Sequence, residues 1–254
     1  MRLTPAELLL LELGILKPSD IDLEAIAAFQ GVIVRYRALS SSEARIIGAD
    51  DRAVVTVDRR RGLPRARFSL AHELGHWHHH RGRTFICRSD DIGGKPRGAN
   101  DPERVADAYA ADLVLPPFLV RDRVAGVKAP TLDAVRSLAD VFQVSVTATA
   151  IRFVDFHAVP LILVRHGQAQ RRWHRRNARI PGTWKLRDEV DHRSPSFNVL
   201  YGGINLSRPT RVKADLWFER RWADRHEVLE QSLRVADDEI ITLLVAQDPA
   251  MLEF

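Results

Sequence analysis

A chain of 254 residues, 45% hydrophobic and 28% charged, can bury one large core or two small ones and has the composition of a soluble globular protein. Its single cysteine, Cys87, excludes an intramolecular disulfide and suits a reducing compartment, so the expected location is the cytoplasm. The net charge of +5 admits nucleic acid or an acidic partner, while the early apolar run Leu8–Leu11 is too short for a membrane or signal segment.

Leucines at helical spacing after Thr4-Pro5 predict a first helix over Thr4–Leu16. A second helix opens at Pro18-Ser-Asp and runs through Ala28, closing near Gly31. Val32–Tyr36, Arg45–Ile47 and Ala53–Val57 read as strands, the last ending in the basic turn Asp58–Gly62. Such a sheet can lend an edge to an extended peptide or be purely structural, and the pattern leaves both open. The basic clusters Arg59–Arg61 and Arg171–Arg176 are short enough to be ordinary solvated surface.

The next stretch carries the chemistry. In Arg67-Phe-Ser-Leu-Ala-His-Glu-Leu-Gly-His76, the residues His72, Glu73 and His76 spell H-E-x-x-H. Residues four apart share a helix face, so both imidazoles point one way and can hold Zn²⁺, with Mn²⁺ as the alternative ion. Glu73 lies about 100° further round, where a carboxylate can serve a water as general base. Ser69 reads as the N-cap, which would set the ligands in the first two turns. With ten histidines in the chain, a chance match is expected in roughly a few per cent of such sequences, so a third ligand has to be found.

Arg81–Gly98 reads as a long polar loop containing Cys87. A helix then starts after the cap Asn100-Asp101 and runs from Glu103 to Leu115, with Val105, Ala106, Tyr109, Ala110 and Leu113 as its apolar face. Glu103 and Asp107 lie four apart on another side, where they could simply favour the positive end of the helix dipole. H-E-x-x-H followed by E-x-x-x-D, however, resembles the gluzincin metallopeptidases. That likeness implies Glu103 as the third ligand, with Asp107 receiving the second ring N–H of a liganding histidine.

The two motifs together, with Ala106-Asp-x-Tyr-Ala-Ala-x-Leu-Val-Leu-Pro116 and the opening Ile21–Gly31, resemble the ImmA/IrrE family of metallo-endopeptidases. The resemblance covers about half the chain. It implies His72, His76 and Glu103 as metal ligands, Glu73 as catalytic base and Asp107 as the residue that orients a ligand. It also implies a protein substrate, a helix-turn-helix transcriptional repressor whose cleavage induces a stress, phage or mobile-element programme.

Thr131–Phe156 reads as helix, turn, helix, similar to a helix-turn-helix. In its second helix Val146–Phe153 is mostly small or apolar, with Arg152 its one charge, so packing against the peptidase half is favoured over DNA reading. Beyond Ala158 the pattern changes to strands: Val159–Val164, a turn at His166-Gly-Gln, Ala169–Trp173, Arg211–Phe218, Val228–Arg234 and Ile240–Val245, with a loop or short helix near Asn198–Asn205.

The expected architecture is α+β. Residues 1–125 form a gluzincin-like zinc peptidase domain of helices and a small sheet, and residues 126–157 a helix-turn-helix-like segment. Residues 158–254 form a small α+β or mainly β accessory domain, a candidate sensor. The rival reading is a DNA-binding or antitoxin-like regulatory module with a structural metal; two histidines and one glutamate leave a coordination position open, which favours the hydrolase.

Overall fold

The computed structural model describes residues 2–40, 42–79, 85–87 and 101–253. It is an α+β protein of two compact units, Met1–Leu119 with Ala139–Ser145, and Val120–Leu138 with Val146–Phe254. Residues 126–157 are thus divided between the units.

In the first unit, α1 (Pro5–Glu12) opens on a capping box, the Glu7 amide donating to Thr4 Oγ1 at 3.3 Å and the Thr4 amide to Glu7 Oε2 at 2.8 Å. The other oxygen of the buried Glu7 accepts the Phe118 amide at 3.0 Å. The helix stops short of Leu16 because Gly14 turns left-handed at φ 69°. A 3₁₀ turn at Pro18–Asp20 leads to α2 (Leu23–Phe29), capped by Asp22.

Strands β1 (Val32–Tyr36), β2 (Ala44–Ala49), β3 (Arg52–Val57) and β4 (Phe85–Cys87) form a sheet in the order β1-β3-β2-β4. β1 pairs parallel to β3, and the other pairs are antiparallel. Cys87, expected in a loop, ends an edge strand; the rest of that loop lies outside the described residues. Alternation sets Val32, Ile46, Val55 and Val57 inward and leaves Ile33 and Ile47 exposed. The basic turn is exposed as expected, yet each arginine is held: Arg59 lies 3.3 Å above the Tyr36 ring, Arg60 pairs with Asp58, and Arg61 with Glu43.

α3 (Leu63–His79) carries H-E-x-x-H and corrects the expected start. It begins six residues before Ser69, because Pro64 in the first turn needs no donor there. Ser69 is buried in mid-helix, its hydroxyl facing Glu43 Oε2 at 3.4 Å, so the ligands fall in the last turns. Trp77 anchors this helix on the sheet; a Cβ on Gly48 would come within 2.4 Å of its ring. α4 (Pro102–Val114) is capped by Asp101, which accepts the Glu103 amide. α5 (Pro117–Ala125) follows directly. Pro117 takes the first position of this helix, where its missing N–H costs nothing.

The predicted helix pair is α6 (Leu132–Phe142) and α7 (Val146–Phe156), with Gln143 left-handed at φ 55° between them. α7 was expected against the peptidase half. The partner it finds within its own unit is the C-terminal sheet, where Asp155 accepts Arg175 at 2.6 Å. That sheet is antiparallel, ordered β6-β5-β9-β8-β7, from β5 (Leu161–Gly167), β6 (Arg171–Arg176), β7 (Thr210–Lys213), β8 (Glu227–Ala236) and β9 (Glu239–Val245). α8 (Pro195–Leu200) overlaps the start of Asn198–Asn205, expected as a loop or short helix, and the rest of that segment is loop. The expected turn at His166-Gly is strand, and the expected strand Arg211–Phe218 ends at Lys213 in a 3₁₀ turn. Trp184, Trp217 and Phe218 build the core on one face. No single described helix is long and apolar enough to cross a membrane.

Glu230 and His166 are the most deeply buried ionisable side chains described in this unit. Glu230 is held by the Ser194 hydroxyl (2.7 Å), the Ser196 amide (2.8 Å) and the Trp217 indole N–H (2.7 Å), while burial pushes its carboxyl upward. His166 is fully buried, and burial with the nearby Arg171 holds its imidazole down at about 4 against the weaker pull of Asp188. The unfolded ring titrates near 6.5, so below that pH the unfolded chain takes a proton that the folded chain refuses. Stability should therefore fall from pH 6.5 towards 4, by roughly 3 kcal/mol for a shift of this size. His166→Phe should flatten that part of the curve in urea unfolding followed by tryptophan fluorescence. Equal losses in both proteins would show that the ring keeps its ordinary titration.

Candidate metal centre

Two helices supply the site. On α3, His72 and His76 sit one turn apart with rings nearly perpendicular, centroids 4.7 Å apart at 83°. Glu73 follows His72, and all three are buried. On α4, Asp101 fixes the first turn, so that Glu103 and then Asp107 face α3. The backbones come close at Gly75: a Cβ there would lie 2.9 Å from both the Cα and the carbonyl oxygen of Ala106. Only glycine gives α4 room to bring its carboxylates to the imidazoles.

The ligand atoms converge. His72 Nε2 lies 3.0 Å from His76 Nε2 and 3.1 Å from Glu103 Oε2, and His76 Nε2 lies 3.4 Å from the same oxygen. Bonds of roughly 2.0–2.1 Å to a shared tetrahedral ion would hold such atoms about 3.3 Å apart, close to what is found. Two ring nitrogens facing each other at 3.0 Å cannot both carry hydrogens, so a cation suits the space between them. Among the described residues, His72, His76 and Glu103 form the one group able to hold a metal, and the donor set fits Zn²⁺ with a position left open.

The other ring nitrogen of His72, Nδ1, lies 2.9 Å from Asp107 Oδ1. That contact keeps the hydrogen on Nδ1 and turns the Nε2 lone pair towards the cluster. Burial opposes a charge on His72, but Asp107 and Glu103 overrule it and raise the imidazole to about 9. For Glu103 burial again pulls upward, and the bonds from His72 and His76 hold the carboxyl at about 2. A pocket that grips a proton between carboxylates in this way is built for positive charge.

The structure thus brings together His72, His76, Glu103 and Asp107, with Glu73 adjacent and close enough for its charge to act on His72. Tyr109, expected as core, is buried and stacks on His78 at 4.9 Å; burial pushes its hydroxyl up to about 12. Sequence reasoning missed Gly75, although a glycine inside a motif helix was the available signal. It also missed Glu43, which ties Arg61, Arg65 and Ser69 beside the same helix and carries no motif of its own.

The peptidase M78 family model, described as the IrrE N-terminal-like domain, matches residues 27–154, a span that holds every residue of the centre. Among solved structures, a Mycobacterium tuberculosis transcriptional regulator matches with a TM-score of 0.59 at 15% identity, over 95% of this chain and 74% of that one. This is a likeness of fold. No curated protein sequence matches the chain.

Two substitutions probe the centre. Asp107→Ala should leave the fold intact and weaken zinc affinity by about 10–100-fold in a chelator competition; unchanged affinity would make Asp107 a mere surface acid. Gly75→Val should wedge α4 away from α3, lowering stability by roughly 1–3 kcal/mol and zinc affinity with it. A variant of normal stability and zinc content would show that the helices do not need the close approach.

Proposed function

Given that the chain belongs to the family of IrrE N-terminal-like peptidase domains, we propose that it is a zinc-dependent endopeptidase that cuts one specific regulatory protein. The observation that carries the reading is three metal-type donors within 3.4 Å of one another, one oriented by Asp107, next to the buried carboxylate of Glu73. His72, His76 and Glu103 would hold the ion, Zn²⁺ or else Mn²⁺. Bound there, it would supply Lewis acidity, of the kind that activates water at neutral pH and polarises a carbonyl.

The chain's own groups do the rest. Glu73 takes the proton of the attacking water and passes it to the departing amine. Asp107 keeps His72 in the tautomer that leaves Nε2 free to ligate.

The substrate we favour is a helix-turn-helix repressor, removed by a single cut in the cytoplasm to induce stress, phage or mobile-element genes. Residues 158–254 would then serve regulation or substrate choice, since the donor group lies wholly outside them. A DNA-binding regulator with a structural metal is the second reading, and the α6–α7 pair favours it. Structural zinc sites, however, are closed by four protein ligands. Arg152, the one basic residue on α7, moreover lies 5.9 Å over the Phe156 ring of its own helix.

The two carboxylates should fail differently. Glu73→Gln should keep its metal and lose about 10²–10⁴-fold in turnover, trapping its substrate. Glu103→Ala should lose the metal first and activity as a result. Metal content and cleavage of a candidate helix-turn-helix repressor measure both. Full cleavage by Glu73→Gln would sink the hydrolytic mechanism, and a metal-replete Glu103→Ala would place the third ligand elsewhere.

A further inference from the structure

The C-terminal unit contains a half-open cavity of about 530 Å³, in the size range of small-molecule sites. Its floor is a cross-strand pair, Leu229 of β8 and Val245 of β9. Val159 and Pro160, entering β5, and Leu252, in the final 3₁₀ turn, close the sides. All of these are apolar, and no acidic residue lines the space.

The mouth differs in character. Lys128 and Arg179 stand at it, both exposed, and no carboxylate among the described residues pairs with either. Several arginines of the neighbouring sheet, by contrast, are paired: Arg165 with Glu239, Arg171 with Asp188, Arg175 with Asp155. Two uncompensated cations at the rim of an apolar cavity make a specific demand. Walls of this kind favour an aliphatic or aromatic body, and the rim favours a negative end. A cationic ligand would meet repulsion at the mouth, and a bare anion would leave the walls wet.

We propose that this cavity binds a small anionic amphiphile, an apolar chain or ring ending in a carboxylate. Its place in the chain gives occupancy a consequence. Lys128–Thr131 immediately precede α6, and Ala158–Pro160 join α7 to β5. An occupant therefore touches both ends of the helix pair and the sheet together, and it stabilises the arrangement that holds them. This site is independent of the peptidase reading and stands or falls without it.

Calorimetric titration of the full-length protein with sodium decanoate, kept below its micelle-forming concentration, should show one saturable site per chain. The thermal unfolding midpoint should rise with occupancy. Decyltrimethylammonium (the same chain with the opposite charge) and inorganic phosphate (charge without a chain) should each bind at least tenfold more weakly. Lys128→Glu with Arg179→Glu should weaken decanoate binding at least tenfold while leaving the ligand-free midpoint unchanged. Val159→Trp should fill the cavity and abolish binding. Decyltrimethylammonium or phosphate binding as tightly as decanoate, undiminished decanoate binding by either variant, or no saturable heat at all would overturn the site. Should Val159→Trp misfold, the charge-reversed protein and the two control ligands decide the matter.

Discussion

Everything at the metal centre depends on the distance between α3 and α4. Three ligand atoms from two helices must come within 3.4 Å of one another, and side chains of fixed length can do this only if the backbones are close. The absence of a Cβ at Gly75, against Ala106, permits that approach. On its other side α3 is held by Trp77 against the sheet, where a second glycine, Gly48, leaves room for the indole. The imidazoles therefore project from a helix fixed on two sides, and preorganisation of this kind lets a site hold its geometry before anything binds.

The same logic explains which parts of the chain were legible in its sequence. H-E-x-x-H and E-x-x-x-D are local, i and i+4 on single helices, so spacing alone displayed the faces. That the two faces meet was not local: spacing left Glu103 open between dipole partner and ligand, and resemblance pointed to the second. The start of α3 was misplaced because Ser69 has the chemistry of a cap while the decisive residue, Pro64, lies five positions earlier. Ser69 instead sits beside Glu43, twenty-six positions away in sequence, a contact that no local window reveals. β1 and β3, alternating and bounded by turns, were read nearly to the residue.

The C-terminal unit was harder to read for a related reason. Its interior places polar groups where alternation predicts apolar ones, and such groups are tolerable only when partners arrive from elsewhere. Glu230 is satisfied by Ser194, Ser196 and Trp217, drawn from two separate segments of the chain. His166 and Gly167 resemble a turn in isolation; seven consecutive pairings with β9 keep them in strand. Basic strand β6 reads as a surface patch because Arg172 and Arg175 are exposed, yet it is an edge strand whose register is set by β5.

The division into units is not a division of the chain. The first unit takes back Ala139–Ser145 after Val120–Leu138 has gone to the second, so the polypeptide changes unit three times. During synthesis, the unit with the metal centre is still short of its last segment when Glu103 leaves the ribosome, and it gains that segment only after part of its neighbour has been made. No single peptide bond, cut by a protease or chosen as a gene boundary, releases either unit whole. The two are interleaved in covalent order, so neither can be excised as one continuous stretch of sequence.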